Sequence, residues 1–267
     1  MSRLILGMIA GLLATSLAHA AVVTENVDYT SQGVTLKGYL AYDDAVQGAR
    51  PGVLVVHEWW GHNDYARKRA RMLAELGYTA LAVDMYGDGK LADHPDTAGA
   101  FAKEATKDPA VAKARFAAAQ ELLRHHKTVA GDKIAAIGYC FGGGVVLGMA
   151  RAGVDLRGVV SFHGSLGTQS PAQAGQVKTP ILVLNGADDP FVPADQIDAF
   201  KKEMDAAKAN YRFISYPGAK HSFTSEEATA VGKKFNMPLE YNADADNASW
   251  QEMQAFFKTI FADAKAP

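Results

Sequence analysis

Six short apolar runs, at 53–57, 79–83, 133–137, 158–162, 181–185 and 212–216, restrict the fold more than anything else in this chain. Each is continuous rather than alternating in hydrophobicity, the pattern of parallel strands covered on both faces. Amphipathic stretches separate them. The stretch 63–76 carries Ala66, Ala70 and Leu73 on one face and stops at Gly77. The stretch 109–126 has Asp108 as cap and Pro109 at its first position, and 194–208 presents Ile197, Phe200 and Met204. A last helix is expected to start at a capping box, Ser249 to Glu252, and to bury Trp250, Met253, Phe257 and Ile260. Ahead of these, 22–29 and 34–42 read as an antiparallel strand pair turning at Gln32-Gly33. Strand–helix alternation of this kind predicts an α/β fold, a mostly parallel doubly wound sheet with an N-terminal antiparallel pair. Ligands then bind beyond the C-terminal strand ends.

Residues 1–20 read as a signal peptide rather than as part of that fold. Arg3 gives a positive start, 4–17 an apolar core, and Ala18-His19-Ala20 a cleavage site. The stretch is short for a membrane span, so no membrane anchor is expected. The mature chain would begin near Ala21 and form one domain, 21–267, in a periplasm or outside the cell. Its formal charge is −2 for the whole chain and −3 once Arg3 is lost, which argues against nucleic acid as a partner. The basic run Arg67, Lys68, Arg69, Arg71 is read as a solvated helix face.

Cys140 is the only cysteine among 267 residues, so it has no internal disulfide partner. It sits in Gly138-Tyr139-Cys140-Phe141-Gly142, after an apolar run and before the small-residue segment 143–152. Strand, sharp turn, helix is the context of a nucleophile elbow, with Cys where Ser is usual. Flanking glycines suit a strained nucleophile backbone, and a helix N-terminus favours thiolate. After Cys140 come Asp188-Asp189 at the end of one apolar run and His221 after the next. Nucleophile, acid, histidine is the α/β-hydrolase order. His221 is the candidate base, and of the two aspartates Asp189, directly before Pro190, is favoured over Asp188 to orient it. The segment His57-Glu58-Trp59-Trp60-Gly61-His62 ends the first parallel strand. Amides of Trp59 and Phe141 are the expected oxyanion-hole donors, and Glu58 would point into the site. His57 and His62 are five apart in a loop, unlike the four of a helical H-E-x-x-H zinc site, so no metal is expected. Tyr86, Trp59, Trp60, Tyr139 and Phe223 are candidate pocket walls, at least two of them as packing only. His163 is read as a satisfied structural histidine that could line the pocket.

Together, Glu58 with Gly61, Asp84-Met85-Tyr86, Gly138 to Gly143, Asp189-Pro190-Phe191-Val192-Pro193 and Gly218-x-x-His221-Ser222-Phe223 resemble the dienelactone hydrolase family over essentially the whole mature chain. The resemblance implies an α/β-hydrolase fold without cofactor and a Cys140, Asp189, His221 triad. It also implies a Glu58 that contacts the resting nucleophile and helps form the thiolate. One departure stands out. Dienelactone hydrolases proper carry substrate-carboxylate arginines two residues after the tyrosine of D-x-Y and four after the histidine; here those positions are Asp88 and Ser225. The expected activity is hydrolysis of a small-molecule ester, lactone or thioester by a monomer. A thiol-based redox protein and a non-catalytic binding member of the fold are the alternatives.

Overall fold

A computed structural model describes residues 22–262; the expected leader, 1–20, lies outside them. The strands are β1 (Val22–Ser31), β2 (Val34–Asp43), β3 (Arg50–Val56), β4 (Thr79–Val83), β5 (Val129–Tyr139), β6 (Val159–Phe162), β7 (Ile181–Gly186) and β8 (Tyr211–Tyr216). They form one sheet in the order β1-β2-β4-β3-β5-β6-β7-β8. The β1–β2 and β2–β4 pairings are antiparallel and the rest parallel, as the apolar runs required.

The runs are continuous because both sheet faces are covered. Leu54, Val56, Leu81 and Val83 point to one face, where they pack with Phe116, Leu123, Val146, Phe200 and Met204. Val53, Val55, Ala80 and Ala82 point to the other, against Ala66, Ala70, Leu73, Met253 and Phe257. The first face is supplied by helices α2 (Pro95–Thr106), α3 (Pro109–Arg124), α4 (Phe141–Arg151) and α5 (Ala194–Ala206); the second by α1 (Asp64–Glu75) and α7 (Ala243–Ile260). A short α6 (Ala228–Phe235) precedes α7. Burying one such Leu73 side chain contributes about 2 kcal/mol.

The cap expected at Asp108 forms, and Asn63 supplies one that the sequence reading did not name. Asn63 Oδ1 accepts from Ala66 N at the start of α1, and Asp108 Oδ1 from Ala110 N before Pro109 at the start of α3. The capping box at Ser249 does not start α7. Asn242 does, accepting from Ala245 N at 3.0 Å, about two turns earlier. Ser249 lies inside the helix, its hydroxyl donating to the Asp246 carbonyl. No run predicted α2 or α6.

From β3 the chain steps outward to β4, then returns to place β5 on the other flank of β3. That reversal opens a crevice at the C-terminal ends of β3 and β5. The loops carrying Glu58 and Cys140 leave the sheet there.

Candidate active site

Cys140 caps α4 with φ 52° and ψ −114°, a region that L-residues occupy only when their surroundings hold them. Both neighbours in the motif must be glycine for steric reasons. A Cβ on Gly138 would fall on the Gly142 carbonyl, and one on Gly142 on the Val56 carbonyl. Gly142 N–H donates to the His57 carbonyl at 3.1 Å, tying the elbow to the β3 loop. The thiol is partly exposed at the N-terminus of α4.

His221 arrives on the loop after β8. Its Nδ1 lies 2.8 Å from Asp189 Oδ2, and Asp189 Oδ1 accepts from Phe191 N at 2.9 Å, so both carboxylate oxygens are committed. Asp188 is exposed and contributes its N–H to the Ala219 carbonyl. Burial acts to lower the His221 pKa, but the charge of Cys140, the Asp189 hydrogen bond and a hydrogen bond with Cys140 outweigh it and push it up to about 10. Cys140, His221 and Asp189 are thus brought together by three separate strand ends, and the imidazole is electrostatically joined to the sulfur.

Glu58 is buried, and burial raises its carboxyl above the usual range despite the opposing Ser222 hydrogen bond and the charges of His221 and Arg69. Its Oε1 accepts from Ser222 Oγ at 2.8 Å. The preceding residue, His57, fixes the local backbone. Its Nε2 accepts from Met85 N at 3.2 Å, which leaves the proton on Nδ1, donated to the Glu58 carbonyl at 2.6 Å. Gly61 N–H donates to the same carbonyl at 3.1 Å. In a trans peptide, a carbonyl held this way aims the following amide the opposite way. That amide is Trp59 N–H, the expected oxyanion donor. The His57 ring stacks on Phe141, the residue supplying the second, with centroids 5.6 Å apart.

The pocket walls divide. Trp60 is partly exposed, edge-on to Trp59 and stacked over Phe235. Tyr86 is buried, donates its hydroxyl to the Trp59 carbonyl at 2.9 Å, and has its pKa raised by burial and by the charge of nearby Cys140. Tyr139 and Phe223 are fully buried and are not walls. Tyr139 leaves β5 on the α1 and α7 face, stacked on Phe162, and Phe223 packs against Tyr216 and His163. Half-exposed Phe191 instead stands edge-on to His221 at 5.0 Å. Asp84 organises the neighbouring loop by accepting from Lys37, Tyr86, Gly87 and Gly89 amides. Asp88, exposed, and Ser225, buried, occupy the positions of the missing arginines.

Arg69 corrects another expectation. It is 3 % exposed, not solvated, because it shares the buried stripe of α1 with Ala66, Ala70 and Leu73. Its guanidinium reaches Asp246 and the Thr224 carbonyl at 2.6 Å each and lies over the Tyr65, Tyr139 and Trp250 rings. His163 has both ring nitrogens bonded and is fully buried. Ser222, Thr224 and Tyr65 were not singled out from sequence; only the adjacency of Ser222 to His221 hinted at a role. Among the described residues, no group of three His, Cys, Asp or Glu side chains is placed to hold a metal ion, and no helix is long and apolar enough to cross a membrane.

An eight-stranded sheet of this order, a strained residue at a strand-to-helix elbow, and acid and histidine at later strand ends define an α/β-hydrolase. Residues 36–261 match the family model for the dienelactone hydrolase family, and the chain belongs to that family. A crystal structure of the dienelactone hydrolase-like promiscuous phosphotriesterase P91 from metagenomic libraries is similar, with 35% identity and a TM-score of 0.83 over 91% of this chain and 100% of that one. A structure named m3DLH is 37% identical, with a TM-score of 0.85 and the same coverage. A Bradyrhizobium protein named "Probable 2-oxo-3-(5-oxofuran-2-ylidene)propanoate lactonase" is 30% identical over 220 residues, covering 78% of this chain and 86% of that one.

Proposed function

We propose that this hydrolase is an exported enzyme that cleaves neutral carboxylic esters or lactones through a Cys140 acyl-enzyme. The observation that carries the reading is the buried His221 imidazole, held by Asp189 at 2.8 Å and facing Cys140 at the strained elbow. A cysteine beside an imidazole oriented in this way has a base within reach for its proton.

In the proposed reaction the Cys140 sulfur attacks the acyl carbon, forming a C–S bond as the carbonyl electrons move to oxygen. The Trp59 and Phe141 amides, neither of which has an acceptor among the described residues, receive that oxyanion. Collapse breaks the C–O bond, and His221 gives its proton to the departing alkoxide. Water then attacks the thioester while His221 takes its proton, and the sulfur leaves as thiolate. Asp189 stabilises the imidazolium throughout. Glu58, buried near His221 and held by Ser222, is assigned to favour the reactive protonation state of Cys140.

Asp88 and Ser225 support a neutral substrate, because the first is acidic and the second cannot pair with a carboxylate bidentately. The same lack of a carboxylate receptor favours a second substrate class. A phosphotriester is also neutral, and it is the class named for the 35%-identical P91. The pattern of 1–20 supports export, tested by N-terminal sequencing of the mature protein.

The deciding experiment offers p-nitrophenyl esters, lactones, thioesters and a phosphotriester to the purified protein and follows intact mass. A transient adduct on Cys140, with Cys140→Ala inactive but folded, is expected. Full esterase activity in Cys140→Ala would overturn the reading. Peroxide consumption without ester turnover would point to redox chemistry instead, and ligand-induced melting shifts without product to a binding protein.

A further inference from the structure

We propose that His163 is a positioning residue for this site, a buried strut joining the backbone of Cys140 to the loop that carries His221. The proposal rests on the reading of Cys140 and His221 as the reacting groups.

His163 follows directly on β6 and is a non-glycine residue at φ 40°, fully buried. Strain of this kind persists only where the surroundings impose it. Its ring spans two loops. Nδ1 accepts from Cys140 N–H at 3.1 Å, a donor it shares with the Phe162 carbonyl at 3.0 Å. With Nδ1 as acceptor, the ring proton sits on Nε2 and is donated to Thr224 Oγ1 at 2.7 Å. Thr224 lies on the His221 loop, and its hydroxyl also meets Tyr65 of α1 at 2.5 Å. The face of the imidazole is used as well: its centroid stands 5.3 Å from His221 and 5.2 Å from Phe223, edge-to-face in both cases.

One planar ring therefore sets three things: the amide of the strained nucleophile, the course of the backbone beyond His221, and one side of the catalytic imidazole. This geometry requires a neutral ring, since a cation would lose the Cys140 acceptor. Burial, reinforced by the charges of His221 and Arg69, keeps the His163 pKa well below its ordinary value. Neither neighbour is replaceable by chance contact. A phenylalanine at 163 would keep the ring but leave the Thr224 hydroxyl without its donor. Displacing an attacking group by about 1 Å costs on the order of 100-fold in rate.

The test measures kcat and KM for p-nitrophenyl acetate with the mature enzyme carrying His163→Phe, Thr224→Val, both together, or Thr224→Ser. Each of the first two is expected to lower kcat about 10- to 100-fold with KM within about twofold, because substrate contacts are untouched. The double variant should be no slower than the slower single one, since both cut the same strut. Thr224→Ser, which keeps the hydroxyl, should retain most of kcat. If His163→Phe does not fold, the Thr224→Val and Thr224→Ser pair decides alone. Wild-type kcat in Thr224→Val, or losses that multiply in the double variant, would overturn the strut. Cys140→Ala run alongside separates the two levels: an active Cys140→Ala sinks the triad reading, whereas an inactive one beside a fully active Thr224→Val sinks only the role of His163.

Discussion

Ser222 gives its hydroxyl to Glu58 Oε1 at 2.8 Å from a backbone at φ 54°, one residue beyond His221. The loop that delivers the base thus also holds the buried carboxylate. Ser222→Ala removes a hydrogen bond that opposes the burial-driven rise of the Glu58 pKa, so that pKa climbs further. The acid limb of Cys140 alkylation by iodoacetamide is expected to move to higher pH. An unmoved limb would separate Glu58 from the state of the sulfur.

Gly142→Ala pushes a methyl onto the Val56 carbonyl. Backbone has to shift, at a cost of about 3 kcal/mol, and the oxyanion amide of Phe141 shifts with it. Urea denaturation should give a lower midpoint, and esterase activity should fall well beyond what the lost stability explains.

Arg69→Met leaves half-buried Asp246 without its cation and the Thr224 carbonyl without its donor. Water reaches part of the orphaned carboxylate, so the cost is expected to fall below the roughly 3–5 kcal/mol of a fully buried pair. Adding Asp246→Asn should restore part of the loss, because the orphaned charge is then gone. A double variant no more stable than Arg69→Met alone would show that the guanidinium acts mainly through the three rings beneath it.

Stability should fall on the acid side because of buried neutral histidines. Burial lowers the pKa of His57 and His163 in the folded state, and that of His62 to about 3. The unfolded chain titrates near 6.5, so below that pH it binds protons the folded chain does not. Their contribution is complete above pH 6.5 and is lost as pH falls toward the folded values, at up to about 1.4 kcal/mol per pH unit for each. Melting temperature measured from pH 8 to 4.5 should be flat at first and then drop. His62→Gln should soften the drop.

Asp88→Arg reverses a charge at the first of the two departures from the dienelactone hydrolase pattern. It should raise kcat/KM for a carboxylate-bearing lactone about fivefold, the scale of a solvent-exposed charge pair, while leaving a neutral ester nearly unchanged. Equal effects on both substrates would place Asp88 outside the pocket.

The sheet was legible because continuous apolar runs leave a strand no exposed face, and the elbow because its glycines are required by contact with neighbouring backbone. Cys140, Asp189 and His221 could each be placed at a strand end, and the chain order alone suggested that they meet. The start of α7 was misplaced because Asn242 and Ser249 are both good caps. With the start at Asn242, Asp246 lies inside the helix and reaches Arg69. Arg69 itself was misjudged by its charge, although its place beside Ala70 in the apolar stripe signalled burial. Tyr139 and Phe223 resembled pocket walls by adjacency to site residues, but side-chain direction turned them inward. Thr224, Tyr65 and His163 act through contacts between distant segments, which no local pattern encodes.

The Arg69–Asp246 pair joins the first helix of the chain to the last. Without α7 in place, the Arg69 guanidinium has no acidic hydrogen-bond partner among the described residues. The same guanidinium holds the Thr224 carbonyl, so the loop beyond His221 is tied to α7 through one side chain. Loss of α7 is therefore expected to loosen the segment beside His221 as well as the sheet face that the helix covers.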